Sequence, residues 1–490
     1  MTLLERRVYE ALESIVGPEN ISEDSAVLAG YSYYPLGPLA EIPGKPSGKW
    51  TFSPDAVILP ERAAEVQAIV KTCNRYGVKF KAHSTGWAPW AGVTQKNSVL
   101  LDLRRMNRII ELDEKNMYAV IEPYVTAMQL RAEAMRRGLI CHVIGAGPNH
   151  SVLASCTSAE GMGSTAYTTT HNNRNLLGVE WVTPTGEIVR IGAPGSGAGW
   201  FCGDGPGPSL RGLIRGYTGT FGGLGVFTKC AVKLYPWPGP PKLEVKGDIP
   251  IYGYEIPKNI KIYIAEFPNW KTLMDAAYKI GDAKIGFTVW RMTSPQCMAI
   301  LSGSLMSLEI DQIYDTSETI FPKHRLEITL AAHSNGELEY EEIVLRKIVE
   351  ETGGKLKNVE EDPLLGTFKE FLFASWVFQN YNALVFRFTG DFGSTFGSEG
   401  CPDREIKCIQ LVEKMRKEYV DAGHFVNDGP ENIWGGPEEH NRHIHWEGLF
   451  MYDPSDNQSL EGAKKYMKEA LEASMKFKLG GPVGAPNAEL

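Results

Sequence analysis

The stretch Lys81-Ala82-His83-Ser84-Thr85-Gly86-Trp87-Ala88-Pro89-Trp90-Ala91-Gly92 leaves a strand beginning at Lys79 and continues as a loop rich in small residues. Such a loop lets successive backbone N–H groups approach phosphate oxygens. Gly86 and Gly92 supply the backbone freedom this requires. A tight structural turn has the same composition, so the loop gains meaning only from its surroundings. Upstream, residues 56–59 read as a short apolar strand. Residues 62–76 follow as a helix, with Val66, Ile69, Val70 and Cys73 at i, i+3, i+4 and i+7. Downstream, residues 99–103 and 119–122 read as strands, and residues 127–137 as a helix ended by Gly138. Residues 179–183 and 188–191 make a hairpin around Pro184-Thr185-Gly186-Glu187.

Two further loops in this half are built of small residues. One is Gly145-Ala146-Gly147-Pro148-Asn149-His150-Ser151-Val152-Leu153-Ala154-Ser155-Cys156, continuing through Gly161 and Gly163. The other is Gly216-Tyr217-Thr218-Gly219-Thr220-Phe221-Gly222-Gly223-Leu224-Gly225-Val226-Phe227-Thr228, entering a strand at 229–234. Backbone of this kind packs flat against a planar ligand. None of the three is a G-x-G-x-x-G at a strand-to-helix turn, which disfavours a Rossmann-type NAD site.

The segment Pro236-Trp237-Pro238-Gly239-Pro240-Pro241 marks a boundary, because prolines end strands and stiffen linkers. Beyond it, strands at 260–264, 285–290, 326–331 and 384–388 alternate with helices at 270–280, 341–352 and 405–419. That pattern predicts a single antiparallel sheet with helices on one face. Residues 460–475 form a last amphipathic helix with Ala463, Tyr466, Met467, Ala470 and Leu471 on its stripe. The expected class is α+β, in three segments: 1–238, 239–455 as a cap, and 456–490 returning to the first.

A chain of 490 residues is too long for one core. Its net charge of −9, from 50 basic and 59 acidic residues, argues against nucleic acid or an anionic membrane as the main partner. No stretch approaches eighteen consecutive apolar residues, so no transmembrane segment is expected, and residues 1–23 lack the pattern of a secretory signal. The eight cysteines stand singly, without C-x-x-C spacing, which reads as a reducing, cytoplasmic setting and no metal site.

Several ordered motifs of the first half resemble the vanillyl-alcohol oxidase/p-cresol methylhydroxylase (PCMH-type) flavoprotein superfamily. They are Pro54 to Pro60 with Glu65-Val66, Leu101-Asp102-Leu103-Arg104-Arg105-Met106-Asn107-Arg108-Ile109, Ile121-Glu122-Pro123-Tyr124-Val125-Thr126, and the runs 177–192 and 216–228. The resemblance implies a two-part FAD-binding domain. His83, Ser84, Thr85, Gly86 and Trp87, with Gly92, would contact the pyrophosphate. Ser151, Val152, Ser155 and Gly161 would line the isoalloxazine and ribityl chain, and Val226 the adenine side. Two loops depart from the family: Gly216-Tyr217-Thr218-Gly219 replaces Gly-Ser-Glu-Gly, and Leu153-Ala154 replaces Gly-Gly.

The second half is similar to the cap of glycolate oxidase and D-lactate dehydrogenase flavoproteins. The run Glu438-Glu439-His440-Asn441-Arg442-His443-Ile444-His445-Trp446-Glu447 stands where those caps carry a histidine motif, with His445 at its last histidine. Independently of family, His443, His445 and Glu447 share one strand face, with Ile444 and Trp446 on the other. A neutral imidazole there would take an alcohol proton while hydride leaves carbon for the flavin, or would ligate a divalent cation with Glu438 or Glu447; a solvated polar face is the plainer alternative. Arg387 and Arg291 are candidates to clamp a carboxylate, or else structural arginines. The resulting expectation is an FAD-dependent dehydrogenase of a small 2-hydroxy acid, with electrons passing to an external acceptor, protein or oxygen. An aromatic alcohol or alkylphenol oxidase is the second reading and a flavin-bound electron-relay subunit the third. Assembly with itself or with another subunit is left open.

Overall fold

The computed structural model describes residues 4–34, 39, 51–86, 91–145, 147–158, 161–192, 194, 197, 199–200, 210–214, 220, 223–248, 252–294, 320–380, 391–427 and 432–479. The chain forms two compact units. One comprises Met1–Gly161 with His171–Pro236, the other Met162–Thr170 with Trp237–Leu490.

The first unit holds two main sheets. In the four-stranded sheet the order is Ile21–Ser22, Ala56–Ile58, Ser98–Asp102, Lys79–His83. The last three strands are parallel and the first is an antiparallel edge. Ala56, Val57, Ile58, Val99, Leu100 and Leu101 are all buried, as parallel strands covered on both faces must be. The helix Ala63–Tyr76 crosses over between Ala56–Ile58 and Lys79–His83. Its face of Val66, Ile69, Val70 and Cys73 joins Val8 and Leu12 of the helix Arg6–Val16 in one apolar cluster. The crossover stops at Gly77, whose φ of 67° closes the left-handed cap.

The five-stranded sheet is antiparallel, in the order Ile109–Asp113, Tyr118–Ile121, Val226–Lys233, Leu176–Val182, Ile188–Ile191. Cys230 of the central strand sits opposite Ile121 on one side and Val179 on the other. The helix Ala127–Met135 starts in a capping box between Thr126 and Gln129, and its Leu130 and Ala134 complete the core beneath this sheet. The hairpin expected around Pro184 is present, with Val182 opposite Ile188 and Gly186 at a φ of 84°.

The second unit is antiparallel in its sheets, with helices, as the α+β expectation required. Among the described residues the single sheet expected there is instead two larger sheets and a two-stranded ribbon, Val245–Lys246 with Gly253–Tyr254. A four-stranded one has the order Thr288–Trp290, Arg325–Ala331, Ile260–Glu266, Lys355–Asn358. A three-stranded one has the order Asp391–Gly400, His443–Tyr452, Ile433–Glu438. A backbone bridge joins them, in which the Arg291 amide donates to the Gly435 carbonyl at 2.7 Å and the Gly435 amide returns a bond at 3.1 Å. Gly435 takes a φ of 133°, a region that side-chain-bearing residues rarely adopt, and a Cβ there would run into the His445 carbonyl oxygen. The strand expected at 384–388 lies outside the described residues.

A second correction concerns the last helix, Asn457–Phe477, which was expected to return to the first unit. It belongs to the second. Its Tyr466 meets Tyr419, Phe425 and Phe450 with ring centroids about 5 Å apart, so the stripe is buried against the helix Pro402–Asp421 and the three-stranded sheet. Among the described residues no helix is long and apolar enough to cross a membrane.

The short helix Ala166–Thr169 also belongs to the second unit. The Glu439 and His440 amides donate to the carbonyls of Ala166 and Tyr167 at 3.2 and 2.9 Å. The Tyr167 hydroxyl donates to the Ile285 carbonyl at 2.9 Å. The tip that holds it, Glu439-His440-Asn441, has positive φ at all three residues.

Candidate functional site

A cleft in the first unit is lined by residues from the three small-residue loops: His83, Ser84, Thr85 and Gly86, then His150, Ser151, Ser155 and Ser158, then Gly225 and Phe227. Leu103, Pro123, Ile144, Leu153 and Ala154 add an apolar lining. The loops are tied to one another. The parallel pairing of His83 with Asp102 delivers the first loop to the sheet edge, and the Leu103 amide donates to the His83 carbonyl at 2.9 Å. The Ser151 amide donates to Thr85 Oγ1 at 3.0 Å, joining the first loop to the second. The Thr220 amide and hydroxyl both reach the Thr157 carbonyl, at 2.9 and 3.1 Å, joining the third. Ser151 Oγ caps the helix Val152–Thr157 by accepting from the Ala154 amide at 3.0 Å.

Glycine is required at two of these positions. Gly86 has a φ of 71°, and a Cβ there would lie 2.8 Å from the His83 ring. Gly225 has a φ of 102°, and a Cβ would run into the Val182 carbonyl oxygen. Both glycines line the cleft with backbone alone.

The electrostatics beneath the first loop centre on Asp102, which is fully buried. The Tyr31 hydroxyl donates to it at 2.6 Å and Arg104 Nε at 2.9 Å. Burial lowers the pKa of the His83 imidazole, with the Asp102 charge opposing that shift. Beneath the second loop, burial drives His142 down to about 3 and His150 down to about 4, and the Arg131 charge adds to both. His150 Nδ1 is bonded to the Gly147 carbonyl. Its Nε2 is buried and has no hydrogen-bond partner among the described residues.

Of the residues singled out from the sequence, His83, Ser84, Thr85, Gly86, Ser151 and Ser155 line this cleft together. Val152 and Val226 instead lie in the apolar clusters behind it. Gly161 packs against Ile144, where a Cβ would come within 2.8 Å of that side chain. Gly92 sits against Tyr34 and Thr51, next to the lining residue Ala91. Trp87 and Arg387 lie outside the described residues. His150, Leu103 and Pro123 also line the cleft; all three stand inside the runs quoted above, where residue type alone did not single them out.

In the second unit His443 and His445 do share a strand face. His443 Nε2 is 2.6 Å from Glu438 Oε2, and His445 Nε2 is 2.9 Å from Glu447 Oε1. Ser394 Oγ donates to the other Glu447 oxygen at 2.7 Å. His445 is 1% exposed, so a solvated face is not its environment. On the opposite face Ile444 and Trp446 are buried, with the Trp446 ring 5.2 Å from that of Trp270. Arg291 is structural: it is fully buried, donates to the carbonyls of Ile433 and Lys323, and stacks over Trp270 at 5.1 Å. Among the described residues no three His, Cys, Asp or Glu side chains gather as a metal-ligand set.

The cleft suits a flavin dinucleotide. Two glycine positions present backbone to it, apolar side chains line part of it, and a buried imidazole nitrogen awaits a donor. Residues 54–192 match the family described as FAD binding domain. The chain is 32% identical over 241 residues to 1'-carboxy-chondrochloren decarboxylase of Chondromyces crocatus, covering 47% of this chain and 41% of that protein. It is 28% identical over 240 residues to the glycolate oxidase subunit GlcD of Bacillus subtilis, covering 48% and 46%. The chain therefore spans less than half the length of these curated relatives. The fold is that of 4-ethylphenol oxidase from Gulosibacter chungangensis, with a TM-score of 0.73 at 21% identity, covering 97% of this chain and 89% of that one.

Proposed function

We propose that this chain, whose residues 54–192 match an FAD binding domain, is an FAD-dependent oxidoreductase acting on a small hydroxylated carboxylate, with electrons passing to an external acceptor. The observation that carries this reading is the convergence of three loops, spread from His83 to Phe227, on one cleft in the first unit. A span of that kind suits the length of a dinucleotide and favours FAD over FMN. Bound FAD supplies a two-electron acceptor for hydride.

The chain's own residues supply the rest. Thr85 and Ser151 hold together the first two loops of the cleft that would receive FAD. In the second unit, the Glu447 carboxylate holds His445 through Nε2, and His445 is the proposed base for a hydroxyl proton. Ser394 fixes the carboxylate in turn. His443, paired with Glu438, is the second candidate base. Arg387 is proposed to clamp the substrate carboxylate. The names of two relatives, a glycolate oxidase subunit and a carboxy-compound decarboxylase, support a carboxylate substrate, and a 2-hydroxy acid is the first choice.

The test is the absorption spectrum of the purified protein before and after glycolate, D-lactate and 4-hydroxybenzyl alcohol, followed by turnover with a dye acceptor and by assay of released carbon dioxide. Bleaching by a hydroxy acid supports the reading. The Trp434 ring lies edge-on to His445 with centroids 6.3 Å apart, and that aromatic wall favours an aromatic alcohol or alkylphenol as the second reading. Bleaching by the benzyl alcohol alone would select it. A yellow protein bleached by none of the three would instead fit an electron-relay subunit, and a colourless one overturns the proposal.

A further inference from the structure

His150 is 6% exposed and lines the cleft, yet its two ring nitrogens are treated differently. Nδ1 faces the Gly147 carbonyl, a group that only accepts, so Nδ1 carries the proton. The lone pair is then on Nε2, which meets no donor among the described residues. Other polar groups of the same loop are engaged within the chain. The Ser151 amide is on Thr85, the Ser151 hydroxyl donates to the Pro123 carbonyl, and the Ser155 hydroxyl donates to the Val152 carbonyl at 2.9 Å. A buried acceptor left without a donor destabilises a fold unless a ligand supplies one.

The ligand is constrained by the atom. A lone pair is repelled by pyrophosphate oxygens, which are acceptors, and calls for an N–H or O–H. FAD offers ribityl hydroxyls and the ring N3–H on its flavin half. His150 adjoins Ser151, whose amide is bonded to Thr85 of the loop assigned to the pyrophosphate, and the ribityl chain is the part of FAD covalently next to the pyrophosphate. We infer that His150 is a cofactor-binding residue whose Nε2 accepts a hydrogen bond from a ribityl hydroxyl of FAD. Burial keeps the ring neutral at physiological pH, as the contact requires. The inference rests on the flavoprotein reading above.

The experiment titrates apoprotein with FAD and with 3-methyl-FAD, which lacks the N3–H. The variant His150→Asn keeps a donor for the Gly147 carbonyl and removes the outer nitrogen. His150→Gln carries an amide oxygen out toward the place of Nε2. His150→Asn is expected to weaken both ligands about tenfold, equivalent to about 1.4 kcal/mol. His150→Gln is expected to recover most of that, with apoprotein melting temperatures of the two variants alike. Three outcomes overturn the inference: His150→Asn binding FAD within about twofold of the parent, a loss confined to FAD and absent with 3-methyl-FAD, or equal losses in both variants that follow a fall in apoprotein melting temperature. If the parent itself takes up no FAD, the flavoprotein reading fails, and that result differs from all three.

Discussion

Lowering the pH should loosen the first unit through two histidines rather than through its surface carboxylates. His142 and His150 are both buried, and burial takes their folded pKa values from 6.5 down to about 3 and about 4. A lowered folded pKa means that the unfolded chain binds more protons between the two values. The stability these groups allow is therefore fully present above pH 6.5 and is lost as pH falls toward 4 and then 3. At pH 5 an unfolded imidazole is almost wholly protonated while each folded one stays largely neutral. Each site then costs about 1.5 pH units, or about 2 kcal/mol, and the two together about 4 kcal/mol. The perturbation that isolates the effect is His142→Gln, which removes one of the two sites. Urea unfolding of the apoprotein at pH 7.5, 6, 5 and 4.5 measures it. Between pH 6 and 4.5 the loss of stability should be shallower in His142→Gln than in the parent by about 1.4 kcal/mol per pH unit. Carboxylates that titrate in the same window cancel in that difference. Parallel curves for parent and variant would refute the reasoning, since His142 would then be titrating alike in both states.

Three other substitutions test the site. Gly225→Ala places a methyl against the Val182 carbonyl at a φ of 102°, so apoprotein stability should fall by about 2–3 kcal/mol and FAD content with it, read by thermal melting and by flavin absorbance. Asp102→Asn leaves the Tyr31 hydroxyl and the Arg104 guanidinium without their shared charge. A loss of about 1.5–3 kcal/mol in urea unfolding is expected, and a stability equal to the parent's would mean that the pair contributes nothing. His445→Ala should slow flavin reduction about 10²–10⁴-fold in stopped-flow measurements while FAD content is unchanged; a rate within about threefold of the parent makes His445 structural and turns attention to His443.

Much of the frame was legible because periodicity reports burial. The crossover helix could be read from Val66, Ile69, Val70 and Cys73, and the buried strands from Ala56-Val57-Ile58 and Val99-Leu100-Leu101, since both patterns follow directly from the faces those residues must hide. The loops at His83 and Ser151 were legible as glycine- and serine-rich runs. His150 was not, because its importance lies in a hydrogen bond: Gly147 occupies Nδ1 and so decides which nitrogen is left for a ligand. The division of the second sheet was hidden too. A glycine in a strand is silent in sequence about whether its φ lies at −140° or, as in Gly435, at 133°. The stripe Ala463, Tyr466, Ala470 marked a buried face but not its partner, and only the rings of Tyr419, Phe425 and Phe450 identify it.

The short helix Ala166–Thr169 bears on how this protein can be taken apart. It comes from the middle of the N-terminal half in sequence, yet its hydrogen bonds go to Ile285, Glu439 and His440. A gene cut after Pro236 would yield an N-terminal piece in which Ala166 and Tyr167 have lost the groups that cover them. The complementary piece, residues 237–490, would lack the hydroxyl that satisfies the Ile285 carbonyl and the carbonyls that receive the Glu439 and His440 amides. Neither piece carries a complete interior. A chimera that exchanges the second unit between relatives must therefore move two stretches of chain, Met162–Thr170 and everything from Trp237 onward. A single crossover at the proline-rich boundary would leave each parent's insert facing a partner it did not evolve with.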